Sequence, residues 1–139
     1  MVQSNEFSWP LRVYIEDTDA GGIVYYVNYL KFMERARTEY LRSFGHNKAG
    51  ANPESYQFVV VAADVAYKKP AYLDDELRVT ASVTKCTAAS VSFAQAVWRQ
   101  DTLLSTADIR IACVNGSTLK PIPIPPELTS DLKLNLQPN

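Results

Sequence analysis

Histidine and cysteine are scarce in this chain: one and two residues, respectively, out of 139. Cys86 and Cys113 stand far apart, with no partner at metal-ligand spacing. The first residues, Met1-Val2-Gln3-Ser4-Asn5-Glu6, lack both a basic start and an apolar stretch, so no secretory signal is expected. Thiols in such a chain are expected to be reduced core residues, and the chain itself cytoplasmic. No apolar run approaches the ~20 residues that span a bilayer. The formal net charge is −1 and there is no basic block. That excludes a nucleic-acid footprint and a polybasic membrane surface. Repeats, long charge runs and domain linkers are missing as well. What remains is a chain of ordinary globular composition, long enough for one domain with its own core.

One stretch concentrates chemistry. Glu16-Asp17-Thr18-Asp19-Ala20-Gly21-Gly22-Ile23-Val24-Tyr25-Tyr26 joins a strand pattern to the longest helical pattern in the sequence. It sets two aspartates and two glycines just ahead of a helix. A helix start offers unpaired N–H groups and partial positive charge. A carboxylate beside it can attack, or activate water, next to a site for a developing oxyanion. The same residues can also make nothing more than a tight acidic turn. A calcium loop counted from Asp17 would need an oxygen ligand at its fifth position and Glu at its twelfth, where Gly21 and Asn28 stand. A phosphate loop would need Gly-Lys-Ser/Thr, and Ile23 and Val24 follow Gly22. Both are excluded.

Periodicity gives the remaining elements. Leu11, Val13 and Ile15 alternate with polar neighbours, predicting a strand over residues 7–16 with Pro10 near its start. Tyr29, Phe32, Met33, Ala36, Tyr40 and Phe44 fall on one face of a helix over residues 28–44, roughly 25 Å long. Gly45 is a natural stop. Glu34 is expected on the charged face as an ion-pair partner. Residues 45–56 read as loop. His46 lies there, a helix length from Asp19, and is expected to be a surface or terminal-turn residue. Four strand patterns follow, over residues 57–67, 77–85, 90–99 and 103–114. Short turns join the last three into an antiparallel meander. Leu103, Ala107, Ile109, Ile111 and Cys113 are expected on the inner face of the last. Pro121, Pro123, Pro125 and Pro126 end the sheet. The tail beyond is expected to form a short lid, with a weak helical turn or no fixed structure. This is an α+β inventory, one aromatic-faced helix against a five-stranded antiparallel sheet, in a single domain over residues 1–139 with its core at about 7–130. Apolar residues on the outer sheet face point to self-association.

The run Asp17 to Tyr25, with Asn28-Tyr29-Leu30, Glu34-Arg35-Ala36-Arg37, Tyr67 to Asp75 and Leu119-Lys120-Pro121, closely resembles the 4-hydroxybenzoyl-CoA thioesterase family. Within it, the sequence is nearest the acyl-CoA thioesterase branch associated with the bacterial Tol–Pal envelope system. The resemblance implies a hotdog fold, with the sheet wrapped around the helix. It implies dimers or dimers of dimers, homotetramers included, with sites at subunit interfaces. It implies hydrolysis of an acyl- or aroyl-CoA to free acid and CoA without metal or redox cofactor. Asp19 would be the catalytic carboxylate, as nucleophile or general base, and the Tyr26 N–H the oxyanion donor. Gly22, Val24, Tyr25, Asn28 and Tyr29 would shape the substrate site. Lys85 and Ser90, in the turn between the third and fourth strands, would meet the nucleotide end. Relatives often carry several basic residues in that turn; this chain has one lysine. The rival expectations are a non-catalytic or weakly catalytic binding module for acyl carrier protein or envelope-lipid enzymes, and a hydratase. The latter needs an acid–base pair that His46 is poorly placed to complete.

Overall fold

A computed structural model of the chain describes residues 6–45 and 56–137. The elements run β1 (Phe7–Arg12), a 3₁₀ turn (Ile15–Asp17), α1 (Asn28–Arg42), β2 (Tyr56–Tyr67), β3 (Glu76–Cys86), β4 (Ser90–Arg99), β5 (Thr102–Asn115) and α2 (Pro126–Leu134). The strands form one antiparallel sheet in the order β1-β3-β4-β5-β2. This is the expected hotdog arrangement, and its layout follows from side-chain periodicity. Tyr29, Phe32, Met33, Ala36 and Tyr40 are buried along one face of α1. They meet Leu77, Val79, Ala81 and Val83 of β3 and Val91, Phe93 and Val97 of β4 in one core. The sheet can wrap a helix because its ladders slip at three places, near Val60, Val83 and Val97. Each bulge adds local bend and twist.

Several expectations need correction. The first strand stops at Arg12 rather than continuing to residue 16. The Asp17 carboxylate accepts the Tyr14 N–H at 2.9 Å and pulls the chain into the 3₁₀ turn. On β5 the fully buried leucine is Leu104, while Leu103 is half-buried. The slip at Val97 and Trp98, which pairs Trp98 with Leu103 and Val97 with Ser105, moves the inner face by one residue. Of the two expectations for the end of the tail, the helical turn is met and the lack of fixed structure is not. Pro121 bridges to Val114, and α2 follows with Pro126 at its start. Ile124, Leu128 and Leu132 complete the core, and the Gln137 N–H donates to Val83 O at 2.8 Å. Cys113 is buried, Cys86 half-buried, and both are free thiols whose pKa burial raises, as suits packing residues. His46 lies outside the described residues. No helix among the described residues is long and apolar enough to cross a membrane.

Two predictions follow from this packing. Leu132→Ala removes a fully buried side chain from α2 and is expected to cost about 2–5 kcal/mol in urea unfolding; an unchanged midpoint would mean α2 is dispensable. Burial raises the phenols of Tyr29, Tyr40 and Tyr56 above 10.0. On the alkaline side of that value the unfolded chain releases these protons first, so stability falls as pH rises. The urea midpoint should therefore decline above about pH 10, less steeply in Tyr40→Phe; equal slopes would contradict this account.

Candidate active site

The site is built where β1 hands over to α1. Gly22 has φ +81°, a conformation L side chains rarely adopt, with nothing within 4 Å of where a Cβ would stand. Glycine is needed there for backbone shape, not for room. The turn it permits closes on Asp19. The Asp19 N–H donates to Ile23 O at 2.9 Å, and the Gly22 N–H donates to Asp19 O at 3.1 Å. The carboxylate is pinned by the same turn: its Oδ1 accepts the Gly21 N–H at 2.9 Å and the Ile23 N–H at 3.3 Å. Oδ2 has no hydrogen-bond partner among the described residues, and Asp19 is exposed. One carboxylate oxygen is thus fixed and the other presented to solvent.

Asp17 does different work. It is buried, its Oδ2 holds the Tyr14 N–H, and its carbonyl accepts the Tyr25 N–H and the Asn28 side-chain amide at 2.8 Å. Asp17 therefore shapes the turn and docks it on the first residue of α1. Asn28, also buried, supplies that dock.

The helix start is extended by turns. The Asn28, Tyr29 and Leu30 amides donate to the Tyr25, Tyr26 and Val27 carbonyls. Val24 N–H is taken by Ala71 O, and Tyr25 N–H by Asp17 O. The Tyr26 and Val27 N–H groups are left with no hydrogen-bond partner among the described residues. These are the orphan donors a helix start leaves, next to its positive end. The Tyr26 ring is 57% exposed and sits edge-on to Tyr67 at 5.6 Å. Tyr67 in turn contacts Tyr29 at 5.6 Å, and Tyr29 meets Phe32 at 6.0 Å. An aromatic chain thus runs from the core to the surface beside Asp19's turn. The buried Tyr29 hydroxyl accepts the Ala71 N–H at 2.9 Å. Burial raises its pKa, and this hydrogen bond works against the rise.

Asp19, Gly22, Val24, Tyr25, Tyr26, Asn28 and Tyr29 therefore come together at one end of α1. Lys85 and Ser90 do not join them. They lie at the far end of β3, roughly 30 Å along the strand from the Asp19 turn. The Ser90 hydroxyl is engaged with Thr87 Oγ1 at 3.0 Å, closing the β3–β4 turn.

A groove of about 670 Å³ starts at the same helix end. It runs between α1 and the inner face of β2 and β5, and Val27, Leu30, Phe58, Val60 and Ile109 are among its walls. Its size is that of a small-molecule site. Arg37 stands in the wall, 7% exposed, and donates from Nη1 to Gln95 Oε1 at 2.9 Å. Gln95 donates onward to Met33 O at 3.0 Å and to Thr80 O at 3.3 Å. Burial lowers the Arg37 pKa, against the opposing charge of Glu34. Glu34 itself makes no ion pair among the described residues, contrary to expectation; the pair on α1 is Glu39 with Arg42 at 2.6 Å. Sequence reasoning missed this network, although Gln95 is a visible polar break in the run Val91, Phe93, Gln95, Val97. No group of three His, Cys, Asp or Glu residues among those described could hold a metal.

A fixed carboxylate in the turn ahead of orphan amides is suited to acyl transfer to water. Residues 13–132 match the thioesterase-like superfamily. The acyl-CoA thioesterase YbgC of Haemophilus influenzae is 43% identical over 125 residues, spanning 89% of this chain and 92% of that protein. The acyl-CoA thioester hydrolase YbgC of Escherichia coli is 40% identical over 128 residues, spanning 91% of this chain and 96% of that protein. Among solved structures, a probable thioesterase from Bartonella henselae superposes with a TM-score of 0.80 at 32% identity, covering 86% of this chain and 99% of that one. With 120 contiguous residues matched and relatives this similar along nearly their whole length, the chain belongs to the thioesterase-like superfamily.

Proposed function

We propose that the protein is an acyl-CoA thioesterase that hydrolyses an acyl- or aroyl-CoA to the free acid and CoA. The observation that carries this reading is the Asp19 carboxylate, held through Oδ1 by two backbone amides of the turn that leads into the helix start, where the Tyr26 N–H is unpaired among the described residues. The thioester carbonyl accepts from the Tyr26 N–H. Asp19 Oδ2 either takes a proton from an attacking water or attacks the carbonyl carbon itself. In the first route the water oxygen bonds to the carbonyl carbon, the C–S bond breaks, and the CoA thiolate takes the proton held by Asp19. In the second, loss of the thiolate leaves an Asp19–acyl anhydride, which water then cleaves at the acyl carbon, releasing the acid, restoring the carboxylate and supplying the thiolate's proton. A thioester is electrophilic enough for one oriented carboxylate and one or two N–H donors to serve. General-base help is worth ~10²–10⁴ in rate, and an oxyanion donor about 2.7–4 kcal/mol. The names of the YbgC relatives support the acyl-CoA class. Asn28 and Tyr29 hold the site's shape, and the groove along α1 receives the acyl group.

The active form in this reading is a dimer or a dimer of dimers. β2 is an edge strand on which Val60 is 52% and Val61 49% exposed. A long apolar edge is a template for another strand, and a second copy of the same edge is the economical way to cover it. Antiparallel pairing by a two-fold axis keeps both helices on one face of the joined sheet, with the two grooves facing the seam. Any contribution from Lys85 and Ser90 would then come from another subunit.

Thiol release from a panel of acyl-CoAs, short aliphatic to benzoyl, tests the chemistry. Asp19→Asn should lose at least about a hundredfold in kcat with an unchanged melting temperature. A fully active Asp19→Asn overturns the assignment. No release from any CoA ester by the folded wild type, with release from acyl carrier protein thioesters instead, would move the substrate to that carrier; release from neither favours a binding module. Val60→Lys with Val61→Lys should sediment at half the mass of the wild type. A wild type already monomeric at micromolar concentration overturns the β2 seam.

A further inference from the structure

The Asp19 turn is moulded on the segment between β2 and β3. Val24 N–H donates to Ala71 O at 2.9 Å, and Leu73 N–H donates to Gly22 O at 3.1 Å. Ile23 and Tyr72 pair as an isolated antiparallel bridge. Ile23 is also the residue whose N–H holds Asp19 Oδ1 and whose carbonyl accepts the Asp19 N–H. The position of residues 70–75 is therefore passed to the carboxylate through one short relay of backbone hydrogen bonds.

That segment belongs to no strand of the sheet, so its own position needs another source. The Tyr29 hydroxyl holds its Ala71 N–H and the Val13 carbonyl its Asp74 N–H, and Arg99, the last residue of β4, grips the segment as a whole. Its Nη1 donates to Pro70 O at 3.1 Å and to Asp75 Oδ2 at 2.8 Å, and its guanidinium lies 5.6 Å from the centre of the Tyr72 ring. Asp75 completes the grip. Its Oδ2 also accepts the Tyr72 N–H at 2.9 Å, and its carbonyl accepts the Val13 N–H at 2.9 Å. One guanidinium thus holds both ends and the middle of a six-residue segment. Arg99 and Asp75 side chains are only 28% and 21% exposed, so solvent screens this pair less than an open surface pair. Arg99 is fixed to the rigid sheet, whereas the segment and the Asp19 turn are loops.

We propose that Arg99 and Asp75 are positioning residues for thioester cleavage, clamping residues 70–75 so that the Asp19 turn keeps its carboxylate aligned with the Tyr26 N–H. The inference rests on Asp19 being the reacting carboxylate. Neither Arg99 nor Asp75 touches the substrate; their effect on rate comes entirely through the turn. A displacement of about 1 Å in a reacting group can cost a hundredfold in rate, so a loosened clamp should register in turnover before it registers in binding.

The test uses Arg99→Gln, Arg99→Lys, Asp75→Asn and Asp19→Asn with the acyl-CoA turned over best by the wild type. Arg99→Gln and Asp75→Asn are expected to lower kcat by about ten- to a hundredfold, with KM changed less than threefold. Arg99→Lys should recover part of the loss, because an ammonium keeps the charge beside Asp75 but loses the planar guanidinium against the Tyr72 ring. Amide hydrogen exchange should accelerate in residues 17–26 and 70–75 of Arg99→Gln while α1, β3 and β4 stay protected. Wild-type kcat in Arg99→Gln beside an inactive Asp19→Asn overturns the clamp alone. A loss of protection spread over the whole sheet also overturns it, since that is the mark of a purely structural residue. Full activity in Asp19→Asn overturns the catalytic reading, and the clamp's catalytic role with it.

Discussion

Burial of one helix face decides where everything else stands. Tyr29, Phe32, Met33, Ala36 and Tyr40 lock α1 into the hollow of the sheet, and a helix held along its length has a fixed start. The Asp19 turn has no core of its own. It borrows rigidity from that start through Asn28 and Asp17, and from residues 70–75 through Ala71. Tyr29 joins the two, because its ring is core and its hydroxyl holds the Ala71 N–H. The Asp19 carboxylate can therefore be solvent-exposed and still be ordered: its constraints are backbone hydrogen bonds anchored in buried side chains.

The parts of this structure legible in the sequence are those written in local spacing. The five inward residues of α1 and the alternation of Leu77, Val79, Ala81 and Val83 were enough to name the helix and the meander. The acidic turn was legible because Asp19, Gly22 and the helix start are neighbours in the chain. Features that alternation and spacing do not report were not legible. Asp17 draws residues 14–17 out of the strand pattern by one side-chain hydrogen bond, which alternation does not report. The slip at Val97 exchanges Leu103 for Leu104, because a bulge puts the residues on its two sides out of phase, while Ala107, Ile109, Ile111 and Cys113 keep the expected face. The tail looked weak by composition, yet Leu128 and Leu132 find a place in the core that only the folded sheet creates. Arg99 reaches partners 24 and 29 residues away, and no short window connects them.

The molecule is also lopsided in a way that bears on function. One flank of α1 is covered by β1 and β3, while the other looks across a groove toward the exposed edge of β2. Arg37 and Gln95 line or underlie that groove, giving it a polar spot among apolar walls. The Asp19 cluster and the Lys85 turn sit at opposite ends of β3, roughly 30 Å apart along the strand.

The most direct test of the central claim is a crystal structure with a non-hydrolysable acyl-CoA thioether that keeps the carbonyl. The account predicts the carbonyl oxygen about 3 Å from the Tyr26 amide nitrogen, with Asp19 Oδ2 facing the carbonyl carbon directly or across one water. A carbonyl bound away from the start of α1, with Asp19 facing solvent, would contradict it.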